Sequence, residues 1–175
     1  MKDFVVSLFL LIFFAPLMLC VAIISMFVFG RNIFYFSERL GLRKRRFTIY
    51  KFRSMRQWSE KELSDYFDSH PEMKKQWLEN WKMISDPRCP SWGRFIRRFS
   101  LDELPQLVNV LRGEMSLVGP RPITDEENRK YGKYSDLLHG VKPVITGLWQ
   151  VSGRNELSYH RRIAINIYYV RHKSW

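Results

Sequence analysis

The sequence predicts a mainly helical protein with short β elements, in which an apolar N-terminal segment precedes a basic body. Three observations carry this prediction. Residues 4–30 contain no Asp, Glu, Lys or Arg. The rest of the chain repeats helix signals, in which capping residues precede apolar residues at helical spacing. Only one stretch alternates clearly between apolar and polar residues, so few strands are expected.

The uncharged run from Phe4 to Phe29 is long enough to cross a bilayer. As a straight helix it would reach about 39 Å, whereas the hydrocarbon core is about 30 Å thick. Pro16 lies in the middle of the run, where a proline kinks or breaks a helix. The residues alone therefore leave two forms open, a spanning helix and a re-entrant helix that returns to its own side.

The net charge of the chain is +12, and it lies beyond residue 30 because Lys2 and Asp3 cancel. Basic residues follow the apolar run closely, which favours a cytoplasmic body. A strongly basic body suits an anionic partner: nucleic acid, an anionic membrane surface or a phosphorylated substrate. No helix-turn-helix or RNP-type pattern occurs, so nucleic acid is disfavoured. The two cysteines form no CxxC pair, so neither a disulfide framework nor a zinc site is indicated.

After the apolar run, the chain reads as one strand followed by helices. Residues 46–55 alternate and predict a short strand. Residues 59–83 predict a helix in two pieces, with capping boxes at Ser59 and Ser69 and Pro71 in the first turn of the second piece. The second piece carries an apolar stripe of Met73, Trp77, Trp81 and Ile84.

A further helix is predicted in the segment SLDELPQLVNVLRG, which begins at residue 100. Asp102 as the N-cap places Pro105 in the first turn, which a helix tolerates. The apolar stripe is then Leu104, Leu107, Val108 and Leu111, and Gly113 ends the helix.

The adjacent carboxylates of Asp102 and Glu103 are candidates for catalysis. The helix N-terminus and the preceding basic residues favour their ionised form. An ionised Asp can attack phosphorus to form an acyl-phosphate, and it can also bind Mg²⁺. The alternative is that both acids only cap the helix.

Two further segments could bind phosphates. Arg121 lies between two prolines in GPRP, which stiffen the backbone and hold a guanidinium ready for phosphate. The segment TGLWQVSGRN (146–155) is a glycine-punctuated loop that could hold a nucleotide, although it is neither a P-loop nor a GxGxxG motif.

Taken together, three segments make the sequence specific. KFRSM (51–55), SLDELPQLVNVLRGEMSLVGPRP (100–122) and TGLWQVSGRN (146–155) occur in this order behind a proline-interrupted apolar segment. The chain thereby resembles the bacterial sugar transferase family, the monotopic polyprenyl-phosphate phosphoglycosyl transferases. The 58–92 stretch resembles that of the undecaprenyl-phosphate galactose and glucose phosphotransferases.

The resemblance implies a ping-pong transfer of hexose-1-phosphate from a UDP-sugar to undecaprenyl phosphate, with Mg²⁺ bound and UMP released. Asp102 would be the nucleophile and a metal ligand, and Glu103 its partner. The substrate-binding residues implied are Arg97, Arg121, Lys51 and Arg154.

The resemblance also implies the organisation of the chain. Residues 1–30 would form a re-entrant membrane helix broken at Pro16. Residues 31–175 would form a compact catalytic domain with interfacial amphipathic helices and a helical insert at 58–92. The domain would lie on the cytoplasmic face of the bacterial inner membrane.

Two departures from the family pattern motivate an alternative. Val144 stands where Gly is usual, and Asn166 stands where the family usually has Asp. The alternative is a catalytically weakened homologue that serves as a membrane-bound partner in polysaccharide assembly.

Overall fold

The computed structural model describes residues 2–80, 83, 86–153 and 157–172, and the fold there is mainly helical with short strands. The helices are α1 (Lys2–Phe29), α2 (Glu60–Ser69), α3 (Pro71–Asn80), α4 (Ser91–Arg98), α5 (Leu107–Leu111), α6 (Asp125–Tyr131), α7 (Ser135–Leu138), α8 (Leu148–Val151) and α9 (Tyr159–His172). The strands are β1 (Phe34–Leu40), β2 (Arg46–Phe52), β3 (Ser116–Val118) and β4 (Val144–Thr146), and 3₁₀ turns cover Leu42–Lys44, Leu101–Gln106 and Gly132–Tyr134.

Helix α1 is long and apolar enough to cross a membrane, as judged by its length and composition. It runs unbroken through Pro16. A helix can bend at a proline without losing its helical assignment, so the re-entrant form stays a prediction. The buried residues of α1 are Ser7, Val21 and Ser25, and most of its large apolar side chains are exposed. The exposed side chains suit contact with lipid.

The second half of α1 packs against the body. Val21 is 1% exposed and forms an apolar cluster with Phe52 of β2 and Ile96 of α4. The indole N–H of Trp92 donates a hydrogen bond to the hydroxyl of Ser25 over 2.9 Å. One polar and several apolar contacts therefore hold α4 against α1.

Strands β1 and β2 form an antiparallel hairpin. The predicted strand at 46–55 is confirmed over Arg46–Phe52. In the hairpin register, Tyr35 pairs with Lys51 and Arg39 with Phe47. All four side chains lie on one face because each strand alternates its side chains. On the same face, Ile49 packs with Val110 and Met115 to form one of the core clusters.

The two predicted helical pieces after residue 59 are α2 and α3. Ser59 forms the predicted capping box with Glu62, and Pro71 begins α3. The predicted capping box at Ser69 is wrong, because the Ser69 hydroxyl donates to the carbonyls of Asp65 and Tyr66 at the end of α2. Trp81 and Ile84 of the predicted stripe lie outside the described residues.

The predicted helix after residue 100 begins later than expected. A 3₁₀ turn spans Leu101–Gln106, and α5 follows it. The predicted stripe is wrong in part: Val108 is 36% exposed, whereas Gln106 and Asn109 are almost fully buried. The physical reason is that a 3₁₀ turn has about 3.0 residues per turn, so it shifts which side chains face the core.

Candidate active site

Asp102 lies inside the 3₁₀ turn and is 8% exposed. The predicted N-cap role is wrong: Ser100 precedes the turn with a left-handed backbone (φ 57°), and no side chain caps it. Pro105 has no N–H to donate, and the tight 3₁₀ geometry accommodates it. The turn therefore directs the Asp102 carboxylate into the protein.

Glu103 forms an ion pair with Lys51. The Lys51 Nζ atom lies 2.5 Å from Glu103 Oε1, and both side chains are mostly shielded from solvent. Lys51 is presented by β2, and the 3₁₀ turn packs along that strand. The structure thus brings together three of the predicted site residues.

Burial raises the pKa of Asp102 to about 6, since desolvation penalises the charged carboxylate. The neighbouring Lys51 lowers this pKa, Glu103 raises it, and Arg97 lowers it. The sequence predicts that the helix N-terminus and the basic residues before it favour the ionised form. The basic residues act in the expected direction, but desolvation is the larger effect. With a pKa near 6, about nine-tenths of Asp102 is ionised at pH 7.

Arg97 is on α4, and its guanidinium donates to the Met55 sulfur over 3.2 Å. Helix α4 lies directly on the loop after β2. A Cβ added to Gly93 would lie only 1.9 Å from the Ser54 carbonyl oxygen. The Cys89 thiol also donates to that oxygen over 3.3 Å. The close contact between Gly93 and the Ser54 carbonyl determines the position of α4, and therefore the position of Arg97.

Arg121 belongs to a second cluster. Its guanidinium lies 5.4 Å from the ring centroid of Trp149, and Arg162 lies 5.5 Å from the same ring. Arg121 also acts on Arg39, whose pKa is lowered by burial first and then by this like charge, against the opposing effect of Glu127. The guanidinium groups of Arg121 and Arg162 therefore lie close to the indole of Trp149, and Arg39 is near enough to Arg121 to feel its charge.

The two clusters lie at opposite ends of one hairpin face. Tyr35 is opposite Lys51, and Arg39 is four residues further along β1, which corresponds to about 13 Å. Buried Ile49 lies between them. The charges that change the pKa of Asp102 most are those of Lys51, Glu103 and Arg97.

The turn that carries Arg121, residues 119–122, contacts the segment that carries Trp149. Strands β3 and β4 pair in parallel, and the Gly119 N–H donates to the Thr146 carbonyl over 3.1 Å. A Cβ on Gly147 would lie 1.9 Å from the Gly119 carbonyl oxygen, so this approach requires glycine. Neither strand is predicted from the sequence, because each has only three residues.

Asn166, one of the two residues that depart from the family pattern, lies near the second cluster. It is 4% exposed and donates to the Tyr131 hydroxyl over 2.8 Å. Burial raises the pKa of Tyr131 to about 12, while Asn166 and then the positive charges of Arg121 and Arg162 oppose that rise. A neutral amide thus stands beside a neutral phenol.

Other residues near the site were missed or cannot be placed. Arg154 lies outside the described residues. Sequence reasoning missed Asn109, which is fully buried, accepts from the Tyr50 N–H and donates to the Thr48 carbonyl. The Asn in VNVLRG could have suggested it, since a buried amide is a common bridge to a strand edge.

Comparison with known proteins places these features in a family. A sequence model described as bacterial sugar transferase matches residues 1–175. The chain is 40% identical over 172 residues to the exopolysaccharide production protein ExoY of Sinorhizobium fredii. That match covers 98% of this chain and 76% of the relative.

Two longer relatives are matched over about a third of their length. The undecaprenyl-phosphate galactose phosphotransferase of Salmonella typhimurium is 43% identical over 99% of this chain and 36% of its own. The UDP-glucose:undecaprenyl-phosphate glucose-1-phosphate transferase of Xanthomonas campestris is 37% identical over 98% of this chain and 34% of its own.

Proposed function

The chain belongs to the bacterial sugar transferase family, and from this membership we propose that it transfers hexose-1-phosphate from a UDP-sugar to undecaprenyl phosphate. The relatives named above act in exopolysaccharide production or on undecaprenyl phosphate. The reaction would be the first membrane step of bacterial polysaccharide or glycoconjugate synthesis. The observation that carries the proposal is the buried carboxylate of Asp102, with a pKa of about 6, beside Lys51 and Arg97.

In the first half of the reaction, the ionised Asp102 carboxylate attacks the β-phosphorus of the donor. A bond forms between Asp102 and phosphorus, the bond from phosphorus to the bridging oxygen breaks, and UMP leaves with that electron pair. Lys51 and Arg97 offset the negative charge that gathers on the phosphoryl oxygens. The partly desolvated carboxylate is a better nucleophile than an exposed one because less water must be removed from it.

In the second half, a phosphate oxygen of the polyprenyl phosphate attacks the same phosphorus. The bond between phosphorus and Asp102 breaks, and the carboxylate is regenerated. The product is a polyprenyl diphosphate sugar. Glu103 holds Lys51 by the 2.5 Å ion pair, so its role is to position that ammonium beside Asp102.

The carboxylate of Asp102 would be the protein ligand of a Mg²⁺ ion, since Glu103 is held by Lys51. Mg²⁺ usually binds one or two carboxylates together with substrate phosphates and water. Among the described residues no group of three or more His, Cys, Asp or Glu side chains could form a complete protein site. Bound there, the ion would neutralise phosphate charge.

Arg121 and Arg39 are assigned to the nucleotide end of the donor. They lie at the far end of the hairpin face from Lys51, and an extended nucleotide diphosphate could reach both ends around the edge of β1. Trp149 supports Arg121 through its ring.

Helix α1 is proposed to enter the membrane and return to the cytoplasmic face, with a bend at Pro16. Contacts at both of its ends support this: Ser116 donates to Asp3 near the start, and Trp92 donates to Ser25 near the end. A helix that crossed the bilayer would separate these ends by about 30 Å of hydrocarbon.

Helix α4 is proposed to lie at the membrane interface. Phe95 and Phe99 are 47% and 58% exposed, and their rings contact each other in a tilted arrangement with a centroid distance of 4.9 Å. The basic residues Arg94 and Arg98 flank them, as in helices that lie in the headgroup region. Helix α4 packs on α1 through Ile96 and Trp92, so the helix itself lies beside the membrane segment.

Nucleotide release tests the proposal. The full chain in membranes should release UMP when supplied with UDP-glucose or UDP-galactose and undecaprenyl phosphate, and Asp102→Asn should release none above background. Without acceptor, mass spectrometry should find one phospho-sugar adduct on a peptide that contains Asp102. An adduct on Glu103 would reverse the roles of the two acids.

The weakened-homologue alternative is favoured by the buried amide of Asn166. It predicts no UMP release from any UDP-sugar by the wild type. A gain of release in Asn166→Asp would then identify the missing carboxylate as the cause.

A further inference from the structure

The tip of the β1–β2 hairpin, residues 41–45, lies beside the N-terminal end of α1. Leu42 of the tip lines a cavity of about 500 Å³ together with Lys2, the first described residue of α1, and Lys142. The walls also include the apolar side chains of Val118, Pro120 and Val141. If α1 is the membrane segment proposed above, this cavity lies where the helix meets the bilayer surface.

A second cavity of about 310 Å³ lies against the same tip. Leu42 lines both cavities, so they adjoin. The cations of the second cavity include Arg43, Arg45 and Arg112. A region that combines apolar walls with several cations fits an amphipathic anion better than a fully polar one.

The acids that line these cavities already have partners. Asp3 accepts from the Ser116 hydroxyl, and Glu114 accepts from the Asn109 amide. Lys44, also in the tip, pairs with Asp136 at 2.7 Å.

Two arginines of the tip remain for a ligand. Within residues 2–80, 83, 86–153 and 157–172, neither Arg43 nor Arg45 forms an ion pair, and both are exposed. Arg46 differs, because it pairs with Asp125 at 2.9 Å.

The backbone holds the tip in an unusual conformation. Arg43 and Lys44 have φ angles of 54° and 59°, in the left-handed region that non-glycine residues rarely adopt. The Arg43 N–H donates to the His139 carbonyl, and the Gly41 N–H to the Arg45 carbonyl, each over 2.8 Å. Strain that the surrounding structure maintains is a reason to look for a function at this position.

We propose that the hairpin tip binds the phosphate headgroup of an anionic membrane lipid. Arg43 and Arg45 contact the phosphate, for which guanidinium groups have the right geometry. Leu42 contacts the apolar part of the lipid. The site anchors the N-terminal end of the membrane helix, and it rests on the proposed membrane placement of α1.

The test uses the full chain in neutral detergent micelles. Thermal unfolding is followed with phosphatidylglycerol or phosphatidylcholine added, because a ligand that binds only the folded state raises the midpoint. The variant is Arg43→Asn with Arg45→Gln, since Asn tolerates the left-handed backbone. The control is Lys61→Gln with Lys75→Gln, which removes the same charge from exposed positions on α2 and α3.

Phosphatidylglycerol should raise the midpoint of the wild type and of the control. The tip variant should bind it about thirtyfold more weakly, since each of the two basic residues removed contributes about 1 kcal/mol near an anionic surface. Equal responses of the two variants would overturn the proposal. So would an equal effect of inorganic phosphate, which would indicate a free-anion site.

Two measurements keep this result separate from the proposed function. UMP release by the tip variant should match the wild type in micelles, because neither arginine is assigned to the reaction. If the double variant unfolds without lipid, Arg45→Gln alone is used instead, and the amount of phosphatidylglycerol that co-purifies with it is measured. We expect less of this lipid than with the wild type. A wild-type amount of lipid would reject the site.

Discussion

The hydroxyl of Ser116 donates a hydrogen bond to the carboxylate of Asp3, which lies 113 residues earlier in the chain. At the other end of α1, Trp92 donates to Ser25. The first and last turns of the apolar helix are thus tied to one body, and that body carries the candidate active site. This arrangement leads to a prediction about the membrane topology of α1.

The first prediction is that residue 2 and the body lie on the same side of the membrane. In spheroplasts, a membrane-impermeant maleimide should label neither Lys2→Cys nor the body control Lys61→Cys, and both should react after permeabilisation. Native Cys20 and Cys89 are replaced by Ser beforehand. Labelling of the residue 2 variant in intact spheroplasts would mean that α1 spans the bilayer and would refute the re-entrant topology.

The second prediction concerns two buried serines of α1. Ser25→Ala removes the acceptor of the Trp92 indole N–H, which leaves that donor unsatisfied and should cost about 1–3 kcal/mol of stability. Ser7→Ala is the matched control: Ser7 is equally buried, but its hydroxyl has no hydrogen-bond partner among the described residues. Thermal unfolding in detergent should show a loss for Ser25→Ala and almost none for Ser7→Ala. Equal losses would show that the hydrogen bond does not stabilise the contact between α1 and α4.

The third prediction is the pH dependence of the first half-reaction. Single-turnover UMP release involves no acceptor phosphate, so it reports on the attacking carboxylate. Since Asp102 has a pKa of about 6 and must be ionised, the rate should be level above pH 7 and fall about tenfold per unit below pH 6.

Glu103→Gln is the diagnostic variant for this profile. The negative charge of Glu103 raises the pKa of Asp102, so its removal should shift the midpoint to lower pH. A midpoint that moves upward would contradict the electrostatic arrangement, even if the variant is slower.

The fourth prediction is that Asp102→Asn stabilises the fold at alkaline pH. The pKa of Asp102 in the folded state lies above its usual value of 3.8, so the folded state binds the proton more tightly than the unfolded state. The contribution of Asp102 to stability is therefore highest below about pH 4 and is lost as the pH rises through 6. At pH 8 the variant should exceed the wild type by about 3 kcal/mol, and at pH 4 the two should agree.

Thermal unfolding across this pH range measures the effect. The control is Asp136→Asn, because Lys44 lowers the pKa of that exposed carboxyl. Its removal should leave stability almost unchanged or slightly lower at pH 8. If the wild type is more stable than Asp102→Asn at pH 8, burial of the ionised Asp102 carboxylate does not lower the free energy of unfolding, and the prediction is wrong.

Much of the fold could be predicted where local chemistry decides the structure. The Ser59 capping box, Pro71 at the start of α3 and the strand after Arg46 follow from residues close together in sequence. The segment around Asp102 shows the limit. The sequence predicts α-helical spacing throughout this segment, whereas packing against β2 holds residues Leu101–Gln106 as a 3₁₀ turn.

The electrostatics of the site were harder to predict than its residues. The sequence predicts Asp102, Lys51 and Glu103 as site residues, but burial is the largest effect on the pKa of Asp102, and burial depends on the tertiary fold. Likewise, Arg39 could not be connected with Arg121 from sequence, because 82 positions separate them and only the hairpin and the β3–β4 pairing bring them together. The family resemblance supplied what spacing alone could not.

The last prediction is that Gly147→Ala disrupts the second cluster. An added Cβ would lie 1.9 Å from the Gly119 carbonyl oxygen, which is backbone and cannot rotate away. The β3–β4 contact must then open, which moves the Arg121 turn away from Trp149. We expect a loss of about 3 kcal/mol or more in stability and a rise in the KM for the UDP-sugar. Gly140→Ala is the control, since its Cβ would meet nothing closer than 3.3 Å. If Gly147→Ala binds the donor like the wild type, the cluster around Arg121 does not hold the nucleotide.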